Sequence, residues 1–262
     1  MKANKCPKYY RFSKLMANRW NHWKTISFGC ETLNDLLGGL PYRGITEIYG
    51  ESGSGKSQIC MQLCVTAQLP PELGGTGKGV VYLSTTGGIF PSGRLQEISR
   101  GFQEKYPNLS IDFMNRVFLQ QFVEAKGLIN CVTEQLKSLL KRQEIGLVIV
   151  DSMGVFRPER NKIFRAATMR NLVSVLKDFA DKYNFAIVCV NEVTSIPNSQ
   201  HDFVPSLGLA WANLINTRLK TSKTNRTTPS GHTVRIISRV HKNLTIKESA
   251  EFIITKTGIC NP

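Results

Sequence analysis

Along this chain, short runs of consecutive apolar residues alternate with longer stretches in which apolar positions recur every three or four residues. The short runs read as buried strands, and the three-to-four spacing reads as one buried face of a helix. On this basis Ile45–Tyr49 is a strand ending at Gly50, and Ser57–Leu69 is a helix with Ile59, Leu63 and Ala67 inward. Val80–Leu83 is the next strand, Leu95, Ile98 and Phe102 mark a helix, and Val117–Phe122 is a strand. Leu128, Val132, Leu136 and Leu139 line a helix that stops near Arg142, and Leu147–Val150 is a buried strand. Met169, Leu172, Leu176 and Phe179 mark another helix, followed by a strand at Ala186–Val190. After Trp211 the texture changes to strands alone, at Leu214–Leu219, Val234–Val240 and Glu251–Ile254. Alternating strands and helices predict an α/β fold with a mostly parallel, doubly wound sheet, extended antiparallel by the C-terminal strands. Leu73–Lys78, Thr194–Pro205 and Thr221–Gly231 read as loops, the last as a solvent-exposed hairpin connection.

The chain has 262 residues, enough for one large domain or two small ones, and 41% of them are hydrophobic, which excludes a wholly disordered chain. Residues 1–27 form a basic, aromatic extension too short to be a domain, so the core is expected over residues 28–262. The apolar runs at Leu147–Val150 and Ala186–Val190 fall far short of the roughly 18 residues that cross a bilayer. The first 25 residues lack the apolar stretch of a secretory signal. Seven cysteines, scattered and without a CxxC pair, fit reduced thiols in the cytosol or nucleus. Cys60 and Cys64, one helical turn apart, read as core residues. Charge changes the picture more: 34 Lys+Arg against 19 Asp+Glu gives +15, which points to a polyanionic partner, nucleic acid or an anionic surface.

Gly50-Glu51-Ser52-Gly53-Ser54-Gly55-Lys56-Ser57 matches G-x-x-x-x-G-K-[ST] in full, between a predicted strand and a predicted helix. Its glycines let backbone N–H groups turn inward around phosphate oxygens, and the helix N-terminus adds partial positive charge. Lys56 would reach the β- and γ-phosphates of ATP, and the Ser57 hydroxyl would ligate Mg²⁺. Asp151, at the end of the buried run Leu147–Val150, supplies the acid that supports Mg²⁺.

Further residues around these motifs resemble RecA-like recombinases of the eukaryotic and archaeal type. They are Gly44-Ile45-Thr46-Glu47-Ile48 running into the P-loop, Gln58 after Ser57, and Leu33-Asn34-Asp35-Leu36-Leu37-Gly38-Gly39 before it. Asp151-Ser152 followed by Phe156-Arg157, and Asn191-Glu192-Val193 after a strand, agree in order and spacing. The resemblance runs from about Phe28 to Gly258 and is nearest to the family's non-catalytic paralogues. It leaves no counterpart to the family's N-terminal helical domain in these residues. It implies a RecA-like P-loop NTPase core with ATP and Mg²⁺ as cofactors. Nucleotide is then held by Gly50 to Ser57, with Arg94 packing on adenine. Ser57 and Asp151 serve the metal. It also implies that the segments after Ser152 and after Val193 are DNA-binding loops, and that ATP lies at a subunit interface. The family docks neighbours through Phe-x-x-Ala. Phe12-Ser13-Lys14-Leu15 and Lys14-Leu15-Met16-Ala17 match it imperfectly, and Phe12, Leu15 and Trp20 could equally pack on this core.

Two departures bear on catalysis. The family's catalytic glutamate ends a Tyr-x-x-Thr-Glu segment, but this chain reads Tyr82-Leu83-Ser84-Thr85-Thr86, with no acid between Glu72 and Glu97. A threonine is no base at neutral pH, and losing a positioned base typically costs about 10²–10⁴-fold. The family's sensor glutamine is Glu192 here, which could accept a proton or repel the phosphate. Lys56 and Glu192 are thus the catalytic candidates that remain.

Arg157, Arg160, Lys162, Arg165 and Arg170 fall in the first DNA loop and the start of the next helix, interleaved with Phe156 and Phe164. This pattern fits phosphate contacts with aromatic edges against bases. A second acid-free block between Phe203 and Glu248 carries Arg218, Lys220, Lys223, Arg226, Arg235, Arg239, Lys242 and Lys247. The second DNA loop is neutral to acidic, with His201 and Asp202.

The resulting expectation is an ATP- and DNA-binding recombinase paralogue in the nucleus. It acts in homologous-recombination repair of double-strand breaks, with a meiotic role as one reading, as a subunit of a paralogue complex that hydrolyses ATP slowly. Its partners would be single-stranded or branched DNA and other paralogue subunits, with no membrane. The alternatives are a DNA-stimulated motor or strand-exchange ATPase, and a non-hydrolysing scaffold subunit.

Overall fold

A computed structural model describes residues 25–195, 203–240 and 246–262, without the side chains of residues 246 and 247. Most of the basic extension, with its Phe12, Leu15 and Trp20, lies outside the described residues, as do His201, Asp202 and Lys242.

The chain enters through strand β1 (Thr25–Ile26), helix α1 (Glu31–Leu37) and strand β2 (Leu40–Pro41), which pairs with β1. Strand β3 (Ile45–Gly50) leads into helix α2 (Lys56–Thr66), and strand β4 (Gly79–Ser84) into helix α3 (Ser92–Lys105). Edge strand β5 (Val117–Gln121) is followed by α4 (Ala125–Asn130), a π-turn at Cys131–Gln135, and α5 (Leu136–Leu140). Strand β6 (Ile145–Asp151), helix α6 (Lys162–Tyr183) and strand β7 (Ala186–Asn191) complete the alternating part. Then come β8 (Val193–Ser195), β9 (Phe203–Pro205), α7 (Gly208–Ala212), β10 (Thr217–Thr227), β11 (Thr233–Val240), β12 (Ile246–Thr255) and β13 (Gly258–Cys260).

Among the described residues nine strands form one sheet in the order β13-β12-β11-β10-β3-β7-β6-β4-β5. From β10 to β5 all pairs are parallel, and from β10 to β13 they are antiparallel. The doubly wound expectation therefore holds, with one refinement: the first late strand, β10, joins β3 in parallel before the antiparallel run begins.

The strand period of two divides the core between the faces. Val80, Tyr82, Leu147, Ile149 and Val188 pack on one side with α2 and α3, while Val81, Leu83, Val148, Val150 and Ile187 pack on the other with α4 to α6. Helix α2 is buried throughout Ile59–Thr66, because it lies between the sheet, α3 and β13. Cys60 and Cys64 sit in this core as read from the sequence.

Two late boundaries differ from expectation. The strand expected at Leu214–Leu219 begins only at Thr217, since residues 208–212 are helical. The loop expected over Thr221–Gly231 is strand as far as Thr227, paired with β11. Its Thr, Ser and Lys residues are polar, but β-branched residues suit a half-buried pleated surface, and the partner strand decides. In the expected loop Thr194–Pro205, both ends pair as the β8–β9 hairpin.

Candidate nucleotide site and basic face

The C-terminal ends of β3, β4, β6 and β7 open on one edge of the sheet, where open α/β sheets hold ligands. The P-loop leaves β3 there. At Gly50 an added Cβ would lie 2.1 Å from the Thr221 carbonyl oxygen on β10, so only glycine lets the loop turn against that strand. Gly53 and Gly55 have φ of +74° and +105°, conformations that disfavour a side chain. Beneath the turn, Ser54 and Thr221 hydroxyls bond at 2.7 Å.

A cleft of about 690 Å³ is lined by Gly50, Ser52, Gly53, Gly55, Lys56 and Ser57 of the P-loop. Arg94, Asp151, Thr86, Glu192 and Arg235 complete its polar wall. Residues spread over nearly 200 positions of sequence thus meet in one cavity, in the size range of small-molecule sites. Lys56 Nζ donates to the carbonyl oxygens of Gly50 and Glu51, both at 2.8 Å. Burial draws its pKa below the ordinary lysine value, against the opposing pull of Asp151 and Glu192.

Asp151 Oδ2 accepts from Ser57 Oγ at 2.7 Å and from Tyr82 OH at 2.6 Å. Burial, reinforced by Asp151, pushes the Tyr82 phenol well up, so it serves as a donor. Ser57 and Asp151 are hard oxygen donors side by side at the phosphate loop, a donor set that fits Mg²⁺. Thr85 ties this end to the next loop: its Oγ1 accepts from Ser152 N at 2.9 Å.

Arg94 is held by Gln58 Oε1 at 2.8 Å, Glu97 at 2.9 Å, and the Thr255 and Lys256 carbonyls at 2.6 Å each. Hydrogen bonds to a guanidinium lie in its plane, so its flat faces remain for stacking. Thr86 lies two residues past β4, exposed at the cleft, with Oγ1 3.1 Å from Ser84 Oγ.

Glu192 follows β7, and its carboxylate pairs with Arg157. Gly154 makes room, since a Cβ there would lie 3.0 Å from Glu192 Oε1. Both residues belong to the sequence-predicted set, but nothing in the sequence shows that they face each other. Asn191 prepares this corner. Its Oδ1 accepts from Glu192 N at 2.8 Å and Ser206 Oγ at 3.0 Å, and its Nδ2 donates to Glu47 Oε1 at 2.8 Å. Glu47, fully buried in β3, also accepts from Trp211 Nε1 at 2.7 Å and Arg218 Nε at 2.5 Å.

The first basic cluster is divided between a loop and the helix after it, as its positions in the sequence led one to expect. Arg160 is exposed in the segment between Phe156 and α6, while Lys162, Arg165 and Arg170 lie on α6. The helix starts at once because the Asn161 side chain accepts from Ile163 N and Phe164 N, both at 3.1 Å. Glu159 spends its carboxylate on Asn161 N at 2.7 Å. Phe164 is 59% exposed, but Phe156 is only 2% exposed and packs in the core, so its expected contact with bases is corrected.

In the second basic block the four arginines among the described residues are each engaged within the fold. Arg218 is buried on Glu47, Arg239 caps α1 through the Leu37 carbonyl at 2.7 Å, Arg226 pairs with Glu251, and Arg235 turns into the cleft. Tyr82 and Glu47 are candidates to which sequence reading gave no role, and Arg235, read as part of the second basic block, lines the cleft instead, since each is defined by a distant partner.

The sequence model of the Rad51 family matches residues 20–262. The chain is a member of the Rad51 family. Among its relatives, bovine "DNA repair protein XRCC3" is 34% identical over 238 residues, covering 82% of this chain and 69% of the bovine protein. The mouse protein of the same name is 32% identical over 222 residues, covering 76% of this chain and 63% of its own length. "DNA repair protein rhp57" of Schizosaccharomyces pombe is 33% identical over 261 residues, covering 82% of this chain and 73% of its own. This Rad51-family chain thus carries the RecA-like core that its motifs led one to expect. No described helix is long and apolar enough to cross a membrane.

Proposed function

We propose that this chain is a Rad51-family paralogue that binds Mg·ATP in the cleft and DNA on the α6 face. It acts in the nucleus in homologous-recombination repair of double-strand breaks, as one subunit of a paralogue assembly. Residues 28–262 would be the ATPase core and residues 1–27 its linker. The repair assignment is supported by family membership and by relatives named as DNA repair proteins. The observation that carries the nucleotide reading is the convergence of the P-loop, Arg94, Ser57 and Asp151 on one cleft.

In this reading the N–H groups of residues 53–56 and the Lys56 ammonium hold the β- and γ-phosphates. Ser57 and Asp151 would hold Mg²⁺, which supplies charge neutralisation on the phosphates, and Tyr82 fixes the Asp151 carboxylate. Arg94 presents a face to adenine. Thr86 offers no base for water, and Glu192 is engaged by Arg157, so turnover is slow and nucleotide serves chiefly to fix subunit contacts. Arg160, Lys162, Arg165 and Arg170 contact the DNA backbone.

The test is nucleotide binding by the full chain, with ATP turnover measured with and without single-stranded DNA. Lys56→Ala should lose most ATP affinity, and wild-type turnover should stay slow in both conditions. Equal ATP binding by wild type and Lys56→Ala overturns the nucleotide reading. Rapid DNA-stimulated turnover by the wild type favours a motor or strand-exchange enzyme.

A further inference from the structure

We infer that Arg235, carried on β11, binds the α- and β-phosphates of the nucleoside di- or triphosphate held by the P-loop, an inference that rests on the nucleotide reading above.

Arg235 comes from the antiparallel C-terminal strands, outside every phosphate-binding motif in the sequence. In register on β12 stands Phe252, whose ring carbon would lie 3.1 Å from a Cβ on Gly55. Arg235 Cδ would lie 3.4 Å from the same point. A cation and an aromatic ring are thus laid side by side against the P-loop turn. The Arg235 Nε donates to the Gly53 carbonyl at 3.2 Å, and Nη1 donates to the Thr233 carbonyl at 3.0 Å. Arg235 lines the cleft together with Ile254 and Arg94.

The charge balance gives this position its meaning. Arg94 is paired with Glu97, and Lys56 lies in the field of Asp151 and Glu192. Among the described residues no carboxylate pairs with Arg235. β10 and β11 contain no acid at all, and of the two on β12 Glu251 is taken by Arg226 while Glu248 stands in register with Arg239, not Arg235. Burial meanwhile disfavours the charged form of Arg235. The fold therefore holds a partly desolvated cation at the rim of an anion cradle and provides no counter-charge. An anion in the cradle is what offsets that cost.

Its location within the cleft selects which phosphates it meets. Asp151, Thr86 and Glu192 mark the end where the γ-phosphate would lie. Arg235 stands against Gly53 and Gly55, away from those residues in its contacts, in the cleft that Ile254 and the adenine-facing Arg94 also line. It should therefore act on ATP and ADP alike.

The competing role is a purely structural clamp on the Gly53 carbonyl. Arg235→Gln separates the two, because it retains an N–H donor and removes the charge. Affinities for Mg·ADP, Mg·ATP and adenosine would be measured by calorimetry on the full chain, with the melting temperature of the nucleotide-free protein. Arg235→Gln should bind ADP and ATP about tenfold or more weakly, by the same factor, as losing a charge-assisted hydrogen bond implies. Adenosine affinity and melting temperature should not change, and Arg235→Lys should recover part of the loss. The proposal is overturned if Arg235→Gln binds ADP as wild type does while Lys56→Ala does not, and the P-loop reading then stands. It is overturned equally if adenosine binding or melting temperature falls in step, which marks a clamp. Should the wild type bind neither nucleotide, both readings fall together.

Discussion

At the residue scale, the proposal of slow ATP turnover turns on Thr86 and Glu192. Thr86 places a hydroxyl, bonded to Ser84, where a water-activating carboxylate would stand in the resembling recombinases. Thr86→Glu is expected to raise ATP turnover, within the roughly 10²–10⁴-fold that one general base supplies. Glu192 offers its carboxylate to Arg157, so Glu192→Gln should change turnover little. Steady-state phosphate release from both variants settles the matter: a flat rate for Thr86→Glu and a dead Glu192→Gln would make Glu192 the base. The absence of an acid between Glu72 and Glu97 was plain in the sequence. The pairing of Glu192 with Arg157 was not, because 35 residues separate them and only the meeting of β7 with the segment after β6 brings them together.

At the scale of elements, β3 both leads to the P-loop and carries the buried Glu47. That carboxylate joins β3 to β7 through Asn191, to α7 through Trp211, and to β10 through Arg218. Breaking a buried ion pair by neutralising one member leaves an uncompensated charge and costs about 3–5 kcal/mol. Glu47→Gln should therefore lower unfolding stability by about that amount in urea titrations, and the Glu47→Gln/Arg218→Met double variant should recover most of it. A single variant as stable as wild type would show that the pair is not buried as described. Sequence reading identified β3 from its apolar run but assigned Arg218 to a basic face. Composition cannot distinguish an arginine aimed at solvent from one aimed at a carboxylate 171 residues earlier.

At the scale of the whole molecule, the net charge is +15, and the described residues carry their part of it unevenly. Several of the arginines between residues 218 and 239 are consumed within the fold, while among the described residues Arg160, Lys162 and Arg165 cluster around the start of α6, the first two exposed and the third half-buried. Changing Arg160, Lys162 and Arg165 together to Ala should flatten the log–log salt dependence of single-stranded DNA binding by about two units, at about 0.7 per phosphate contact. An unchanged slope places the DNA elsewhere. The local pattern of residues was enough to determine the alternation of strands and helices, the P-loop motif with Asp151 after a buried strand, and the lack of any acid between Glu72 and Glu97. Each of these is written in adjacent positions or in a fixed spacing. Only the tertiary structure decided that β10 pairs in parallel with β3, that Phe156 is core while Phe164 is exposed, and that Arg218 and Arg235 serve the interior and the cleft. Those outcomes depend on which distant strands become neighbours, and a side chain's partner and burial are properties of that packing rather than of its own stretch of chain.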